Sequence, residues 1–127
     1  MSKIPKASLT AALIVKNESK NLDTCLSSVA GWVDDIVILD SGSQDDTKNI
    51  AEKYTKHFYM KTDWEGFGIQ RRAAQAFVTT DYILWIDADE VVTEELKNSI
   101  LKAVSDNKNQ TAYRINRKSW DFGRFIE

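Results

Sequence analysis

Hydrophobic positions along the chain fall into short continuous runs that alternate with stretches of helical spacing. Continuous runs at residues 9–15, 35–40 and 82–86 predict buried strands. The segment "HFYMK" at 57–61 predicts a shorter strand, and "TAYRINR" at 111–117 alternates, which predicts a strand with one wetter face. The runs therefore predict a sheet of at least five strands.

Helical spacing fills the intervals between these strands. It predicts helices over 19–31 and about 68–79, a third that Asp45 or Asp46 caps, and a fourth that begins after Thr93. Alternating strands and helices with nearly continuous apolar strands are typical of a parallel sheet covered on both faces. The predicted fold class is α/β, with three α/β/α layers and a mostly parallel sheet.

Composition narrows the class of protein further. The 127 residues suit one domain, with 43% hydrophobic and 28% charged residues. A net charge of −2 argues against a nucleic-acid partner. No apolar run is long enough to span a bilayer, and the first residues lack the apolar core of a secretory signal. With a single cysteine, Cys25, the chain is expected in a reducing cytoplasm.

Polar residues follow three of the predicted strands at the point where each strand ends. They are Lys16-Asn17-Glu18, Asp40-Ser41-Gly42-Ser43 and Asp87-Ala88-Asp89. The carboxyl ends of parallel strands share one edge of a sheet, where ligands of such folds bind. We therefore expect the three segments to converge on one site.

Asp87 and Asp89 lie two residues apart, and in an extended segment such side chains point to the same side. Two carboxylates suit Mg²⁺ or Mn²⁺, which would also take oxygens from substrate phosphates. The alternative is that Asp89 or Glu90 only opens the helix at Thr93, with Asp87 exposed.

Asp40 and the pair Arg71-Arg72 each have a functional and a structural interpretation. Asp40 could accept a hydrogen bond from a base or ribose, or it could simply begin the turn "DSGS". An arginine early in the third helix could pair with a diphosphate. Because neighbours in a helix diverge by about 100°, at least one of the two arginines should face solvent.

The remaining candidates are assigned mainly to structure. His57 has no acidic partner nearby in sequence, and Cys25 lies on the inward face of the first helix. Trp64 and Phe67 lie in a glycine-containing loop, so a contact between their rings and a ligand is an open alternative to a structural role.

Taken in order, these segments resemble a known family. "LTAALIVKNESKNLDTCLSSV", "DDIVILDSGSQDDT" and "GFGIQRRAAQAFVTTDYILWIDADE" resemble the donor-binding half of inverting GT-A glycosyltransferases of family 2, over residues 8–105. The "DSGS" variant and the run from Trp64 to Arg71 look closest to the bacterial lipopolysaccharide-core (WaaE-like) group. The resemblance implies a GT-A, Rossmann-like nucleotide-diphospho-sugar transferase fold.

The resemblance also implies roles for individual residues. Asp40 would contact uracil, Arg71 would reach the donor, and Asp87 and Asp89 would hold the metal. The nucleotide-sugar site as a whole would comprise Ile14, Val15, Lys16, Glu18, Asp40, Arg71, Asp87 and Ala88. Two positions depart from the common pattern: Ser41 replaces a second acid and Arg72 replaces asparagine. Both departures bear on donor identity and leave the metal site intact.

The implied activity is inverting transfer from a UDP-type sugar, with Mg²⁺ or Mn²⁺, to a cell-envelope glycan or lipid-linked acceptor. That acceptor would place the protein in the cytoplasm, with peripheral contact at the inner face of the cell membrane. Family members are longer, so residues 1–127 are expected to form a single nucleotide-sugar-binding domain truncated before the acceptor half. The catalytic base would lie in the missing half. A homodimer would cover the apolar surface that truncation exposes, and light scattering tests it.

Two alternatives stay open at this point. A nucleotidyltransferase also uses paired acids on an α/β sheet, but it would want a glycine-rich loop where "LIVKNESKN" has none. A receiver-type Mg²⁺-binding module would use Asp40 as a phosphorylatable acid, but no later apolar strand ends in lysine at the right place.

Overall fold

The structure, a computed structural model, describes residues 8–108, 118–121 and 124–126. Six strands are present: β1 (Leu9–Val15), β2 (Asp35–Asp40), β3 (His57–Met60), β4 (Tyr82–Trp85), β5 (Lys118–Asp121) and β6 (Arg124–Ile126). Four helices connect or follow them: α1 (Leu22–Ser27), α2 (Thr47–Ala51), α3 (Phe67–Gln75) and α4 (Glu94–Lys108). The predicted α/β alternation is confirmed.

All strands belong to one sheet in the order β3-β2-β1-β4-β5-β6. The first five strands in that order pair in parallel, and β6 pairs antiparallel with β5. The order reverses direction after β1, between β2 on one side and β4 on the other. This reversal is the switch point beside which open α/β sheets bind ligands at their carboxyl edge.

Alternate residues of the strands build two separate apolar layers. One face of the sheet carries Leu13, Ile38 and Leu84, which pack with residues of α1, α2 and α4. The other carries Val37, Leu39, Ile83 and Trp85, which pack against Ala74 of α3 and Val78 beyond it. A parallel sheet buried on both faces needs strands that are apolar throughout, and this explains the continuous runs in the sequence.

Strand predictions are more accurate than helix predictions. The runs at 9–15 and 35–40 coincide with β1 and β2. The helix predicted over 19–31 is only α1, because residues 28–32 continue in turns. The predicted strand 111–117 lies outside the described residues.

Capping residues were predicted for two helices, α2 and α4, and the structure identifies one for each. The Leu96 amide donates to Thr93 Oγ1 at 3.1 Å, as expected for the cap of α4. At α2, Asp46 occupies the cap position but makes no side-chain cap bond. Asp45 Oδ1 accepts the Thr47 amide at 3.0 Å instead.

In the described part of the chain, no helix combines the length and apolarity that crossing a membrane requires.

Candidate functional site

The loops after β1 and β2 are joined by direct hydrogen bonds. The Asn17 amide donates to Ser43 Oγ at 2.7 Å, and the Gln44 amide donates to Asn17 Oδ1 at 2.8 Å. Asn17 adopts φ of 54°, a left-handed conformation that asparagine tolerates. The expected convergence of these two strand-end segments is therefore confirmed by direct contacts.

Thr47 is fully buried at the start of α2 and connects the same two loops. Its Oγ1 accepts the Glu18 amide at 2.8 Å and donates to Asp45 Oδ1. Asp45 Oδ2 in turn accepts the Ser19 amide at 3.2 Å. One hydroxyl group therefore connects the loop after β1 to the loop after β2.

Replacing Thr47 with valine keeps the side-chain volume but removes the hydroxyl. We expect the free energy of unfolding to fall by about 1–3 kcal/mol, because the Glu18 amide loses its partner in a partly buried position. Urea unfolding followed by circular dichroism measures the change. Thr47→Ser keeps the hydroxyl and should retain most of the stability; equal losses in both variants would contradict this role.

The hydrogen bond from the Thr47 hydroxyl is the main reason that the pKa of Asp45 falls from 3.8 to about 2. A carboxyl whose pKa is lowered on folding stabilises the protein above its unfolded value. That contribution is present above pH 3.8 and disappears as the pH falls towards 2. Asp45 is fully exposed, so solvent screens the effect.

Asp40, at the end of β2, is completely buried. Its Oδ1 accepts the Gly42 and Ser43 amides at 2.7 and 2.6 Å, which closes the turn. Gly42 has φ of 125°, a conformation that favours glycine. Asp40 Oδ2, however, has no hydrogen-bond partner among the described residues. The turn role is therefore present, and the turn leaves one buried carboxylate oxygen unused.

A cleft of about 480 Å³ opens at this edge of the sheet. Its walls come from the ends of β1 and β2 and from the segment that links β3 to α3: Ile14, Val15, Lys16, Glu18, Ser41, Thr62, Trp64 and Phe67. The first four were predicted as donor-site residues, and the two aromatic residues were an open alternative. Ser41 and Thr62 were not predicted. Ser41 belongs to a strand-end run and departs from the common family pattern, but nothing in the sequence distinguishes Thr62.

Of the two adjacent arginines, the structure places one against aromatic rings and the other in solvent. The Arg71 Cζ lies 5.2 Å from the centroid of the Phe67 ring and 4.7 Å from that of Trp85. Arg71 is half-buried, while Arg72 is exposed. Flanking rings hold a guanidinium in place through cation–π attraction.

The residues after β4 form a turn, so the expected extended segment is not observed. The Glu90 amide donates to the Asp87 carbonyl at 2.9 Å, and Glu90 Oε1 accepts the Asp87 amide at 2.8 Å. The side chains of Asp87 and Asp89 are exposed, and Ala88 is buried. An extended backbone therefore does not align the two side chains as expected, although both carboxylates still face solvent after the strand end.

Within the described residues, no group of three or more His, Cys, Asp or Glu side chains is arranged to hold a metal ion. Two exposed carboxylates nonetheless fit Mg²⁺ or Mn²⁺, because these ions commonly use one or two protein carboxylates and complete their shell with water and substrate phosphates. The donor set of Asp87 and Asp89 thus suits an ion that binds together with a diphosphate.

Cys25 lies beneath this acidic turn, and its Sγ is 3.5 Å from the Asp87 carbonyl oxygen. Burial, followed by the charges of Glu90 and Asp89, raises the thiol pKa from 9.0 to about 12. The thiol therefore stays protonated in the folded protein, and the stability it contributes is lost as the pH rises above 9.0.

Because Cys25 is the only cysteine, its alkylation reports directly on this packing. At pH 8 we expect iodoacetamide to modify the folded protein at least about a hundredfold more slowly than the protein in 8 M urea, since a buried thiol is inert. Intact mass spectrometry over time measures both rates. Similar rates in the two conditions would show that the acidic turn does not cover the thiol.

His57 lies at the opposite edge of the sheet, where β3 begins. Its Nε2 is 3.4 Å from Asp35 Oδ2 and its Nδ1 is 3.0 Å from the Tyr59 hydroxyl. The acidic partner comes from the neighbouring strand, and for that reason no nearby residue in the sequence indicated it. This position at the amino ends of the strands agrees with the structural role expected for His57.

Comparison with known proteins defines the class of protein to which this chain belongs. The model of "Glycosyl transferase family 2" matches residues 10–126, and the chain belongs to this family. An uncharacterized glycosyltransferase of Rickettsia conorii is 34% identical over 113 residues, which cover 89% of this chain and 39% of that protein. The SPbeta prophage-derived glycosyltransferase SunS of Bacillus subtilis is 35% identical over 96 residues, which cover 74% of this chain and 23% of that protein. The chain thus spans well under half the length of these relatives.

Solved structures show the same fold. Glucosyl-3-phosphoglycerate synthase from Mycobacterium tuberculosis, in complex with Mg²⁺ and UDP, aligns with a TM-score of 0.59 at 23% identity, over 67% of this chain and 34% of that chain. Residues 1–349 of TarS from Staphylococcus aureus align with a TM-score of 0.65 at 21% identity, over 79% of this chain and 33% of that chain. The protein is therefore a GT-A glycosyltransferase domain of family 2; neither the relatives nor these structures define the lipopolysaccharide-core subtype.

Proposed function

We propose that this domain binds a UDP-type sugar with a divalent cation and presents the sugar for inverting transfer. The observation that carries the proposal is the shared edge: the cleft at the ends of β1 and β2 and the acidic turn after β4 both lie at the carboxyl edge of neighbouring strands, where the strand order reverses. The solved relative that holds Mg²⁺ and UDP in the same fold supports this choice of ligand.

The nucleoside would occupy the cleft. Apolar Ile14 and Val15 and the rings of Trp64 and Phe67 offer flat contacts suited to a base. The carboxyl oxygen of Asp40 that lacks a partner would accept an N–H from that base.

The diphosphate would lie between Arg71 and the acidic turn. Asp87 and Asp89 would hold Mg²⁺ or Mn²⁺, and the bound cation would neutralise the charge that develops on the departing diphosphate. The Arg71 guanidinium, restrained by Phe67 and Trp85, would contribute a second fixed positive charge.

The acceptor, proposed as a cell-envelope glycan or a lipid-linked sugar, would approach the sugar from the open side of the cleft. Asp121 and Glu127 are available as bases, and nothing in the sequence favours either. Family membership favours glycosyl transfer over the nucleotidyltransferase and receiver-type alternatives. The homodimer and the peripheral membrane contact stay predictions.

Calorimetric titration of the chain with UDP, in Mn²⁺ and in EDTA, tests the donor site. We expect binding that requires the cation, with ADP and GDP binding more weakly than UDP. Folded protein that binds no nucleoside diphosphate in either condition would overturn the proposal. Equal binding in Mn²⁺ and EDTA would overturn only its metal component.

A further inference from the structure

Ser41 stands in the wall of the cleft, and the peptide group that precedes it is held at both its N–H and its carbonyl. Its amide donates to the Val15 carbonyl at 2.9 Å. The carbonyl of the preceding residue, Asp40, accepts the Lys61 amide at 2.8 Å. The peptide group before Ser41 is therefore held between the ends of β1 and β3.

The amide of Gln70, a fully buried residue of α3, controls that hydroxyl. Gln70 Nε2 donates to Ser41 Oγ at 3.1 Å and to the Lys61 carbonyl at 3.3 Å. A carbonyl oxygen can only accept, so the Lys61 carbonyl requires the NH₂ group rather than the amide oxygen to face it. The orientation of the Gln70 amide follows from this contact, although it leaves Gln70 Oε1 without a partner among the described residues.

Ser41 Oγ is consequently an acceptor towards Gln70, and its single proton must be donated elsewhere. Among the residues that the structure describes, none accepts that proton. Because Ser41 lines the cleft, the direction left for the O–H group is into the cleft. The wall thus offers a hydrogen-bond donor to a molecule that occupies the cleft.

We propose that Ser41 donates a hydrogen bond to a carbonyl oxygen of the donor's nucleobase, and that Gln70 is a positioning residue that sets its direction. The inference rests on the proposed function. A base is favoured over a sugar or phosphate because Ser41 shares the cleft with Ile14, Val15 and the rings of Trp64 and Phe67, which suit a flat ring. The common family pattern has a second acid at position 41, and an ionised carboxylate there could only accept a hydrogen bond.

The test measures binding of UDP, 2-thio-UDP, 4-thio-UDP and pyrophosphate to the full chain in Mn²⁺. Ser41→Ala should weaken the binding of UDP by about five- to tenfold, as expected for one neutral hydrogen bond, and leave the binding of pyrophosphate unchanged.

In the wild type, one thio analogue should bind more weakly than UDP, because sulfur is a poorer acceptor. In Ser41→Ala that difference should vanish. Ser41→Thr should restore binding, and Ser41→Asp should not. Ser27→Ala, an exposed serine of α1, is the matched control.

Gln70→Glu should act through the same hydroxyl, because a carboxylate would accept the Ser41 proton and turn it away from the cleft. We expect a similar loss for UDP alone, with no further loss in the Ser41→Ala/Gln70→Glu double variant. If Gln70→Glu does not fold, Gln70→Met removes the donor that orients the hydroxyl without supplying a strong acceptor, and it should give a smaller loss for UDP alone, with Gln75→Met as its control. A Ser41→Ala variant that binds UDP as tightly as wild type, or that weakens UDP and pyrophosphate equally, would overturn the inference while the proposed function stands. Wild-type protein that binds no nucleoside diphosphate would overturn both.

Discussion

Replacing Asp89 with alanine should remove cation-dependent UDP binding, with a loss in affinity of at least about a hundredfold in Mn²⁺. Asp89 is exposed in the turn after β4 and hydrogen-bonds to nothing in the described part of the chain. Its removal therefore costs little stability, so a binding loss reports on the ion. Calorimetric titration with UDP, in Mn²⁺ and in EDTA, measures it.

The control for Asp89→Ala is Glu94→Gln, which removes one negative charge from an exposed position at the start of α4. It should bind UDP as the wild type does. If both variants weaken binding equally, the effect is general electrostatics. If neither does, Asp89 is not a metal ligand, and the alternative that this acid only helps to open α4 becomes the better explanation.

Substitutions of Asp40 can separate its role in the turn from its proposed role in UDP binding, because its two carboxylate oxygens have different surroundings. Asp40→Ala removes the acceptor for the Gly42 and Ser43 amides and should lower the free energy of unfolding by about 2–4 kcal/mol. Asp40→Asn can keep Oδ1 on those amides while placing an NH₂ group where Oδ2 was. We expect its stability to stay within about 1 kcal/mol of wild type while UDP affinity falls at least about tenfold.

Urea unfolding and UDP titration of the same two preparations test this prediction. Asp46→Asn, an exposed acid at the start of α2, makes the same chemical change outside the cleft and should alter neither quantity greatly. An Asp40→Asn variant that is stable and binds UDP normally would restrict Asp40 to its turn role. Loss of stability in both Asp40 variants would mean that the buried charge itself supports the turn.

The sheet could be predicted from sequence because burial on both faces leaves a strong local signal. β1 and β2 are continuous apolar runs, and their predicted limits coincide with the observed ones. Helix limits were less accurate. α1 has its apolar positions at helical spacing, but the residues that extend that spacing to Trp32 lie in turns, where the Trp32 indole donates to the Ser28 carbonyl at 2.8 Å. Spacing alone does not distinguish a helix from successive turns that bury the same side chains.

In the candidate site too, some features could be predicted from the sequence and others could not. The strand-end acids were visible because charge is unusual after an apolar run. The contacts that hold the strand-end segments join distant parts of the chain: the Thr47 hydroxyl accepts the Glu18 amide, and the Gln70 side-chain amide donates to Ser41 Oγ. The acidic turn differs from expectation because Glu90 bonds back to the Asp87 amide, a local alternative to an extended backbone.

The position of α3 has a consequence for motion. This helix packs on its face of the sheet through Ala74, and Val78 packs there just after the helix ends. The helix also carries Gln70 and Arg71. A rotation that moved the guanidinium would therefore also separate the helix from Val37 and Trp85. Amide hydrogens of α3 should exchange as one cooperative unit, and a bound nucleotide should slow that exchange along the whole helix rather than at Arg71 alone.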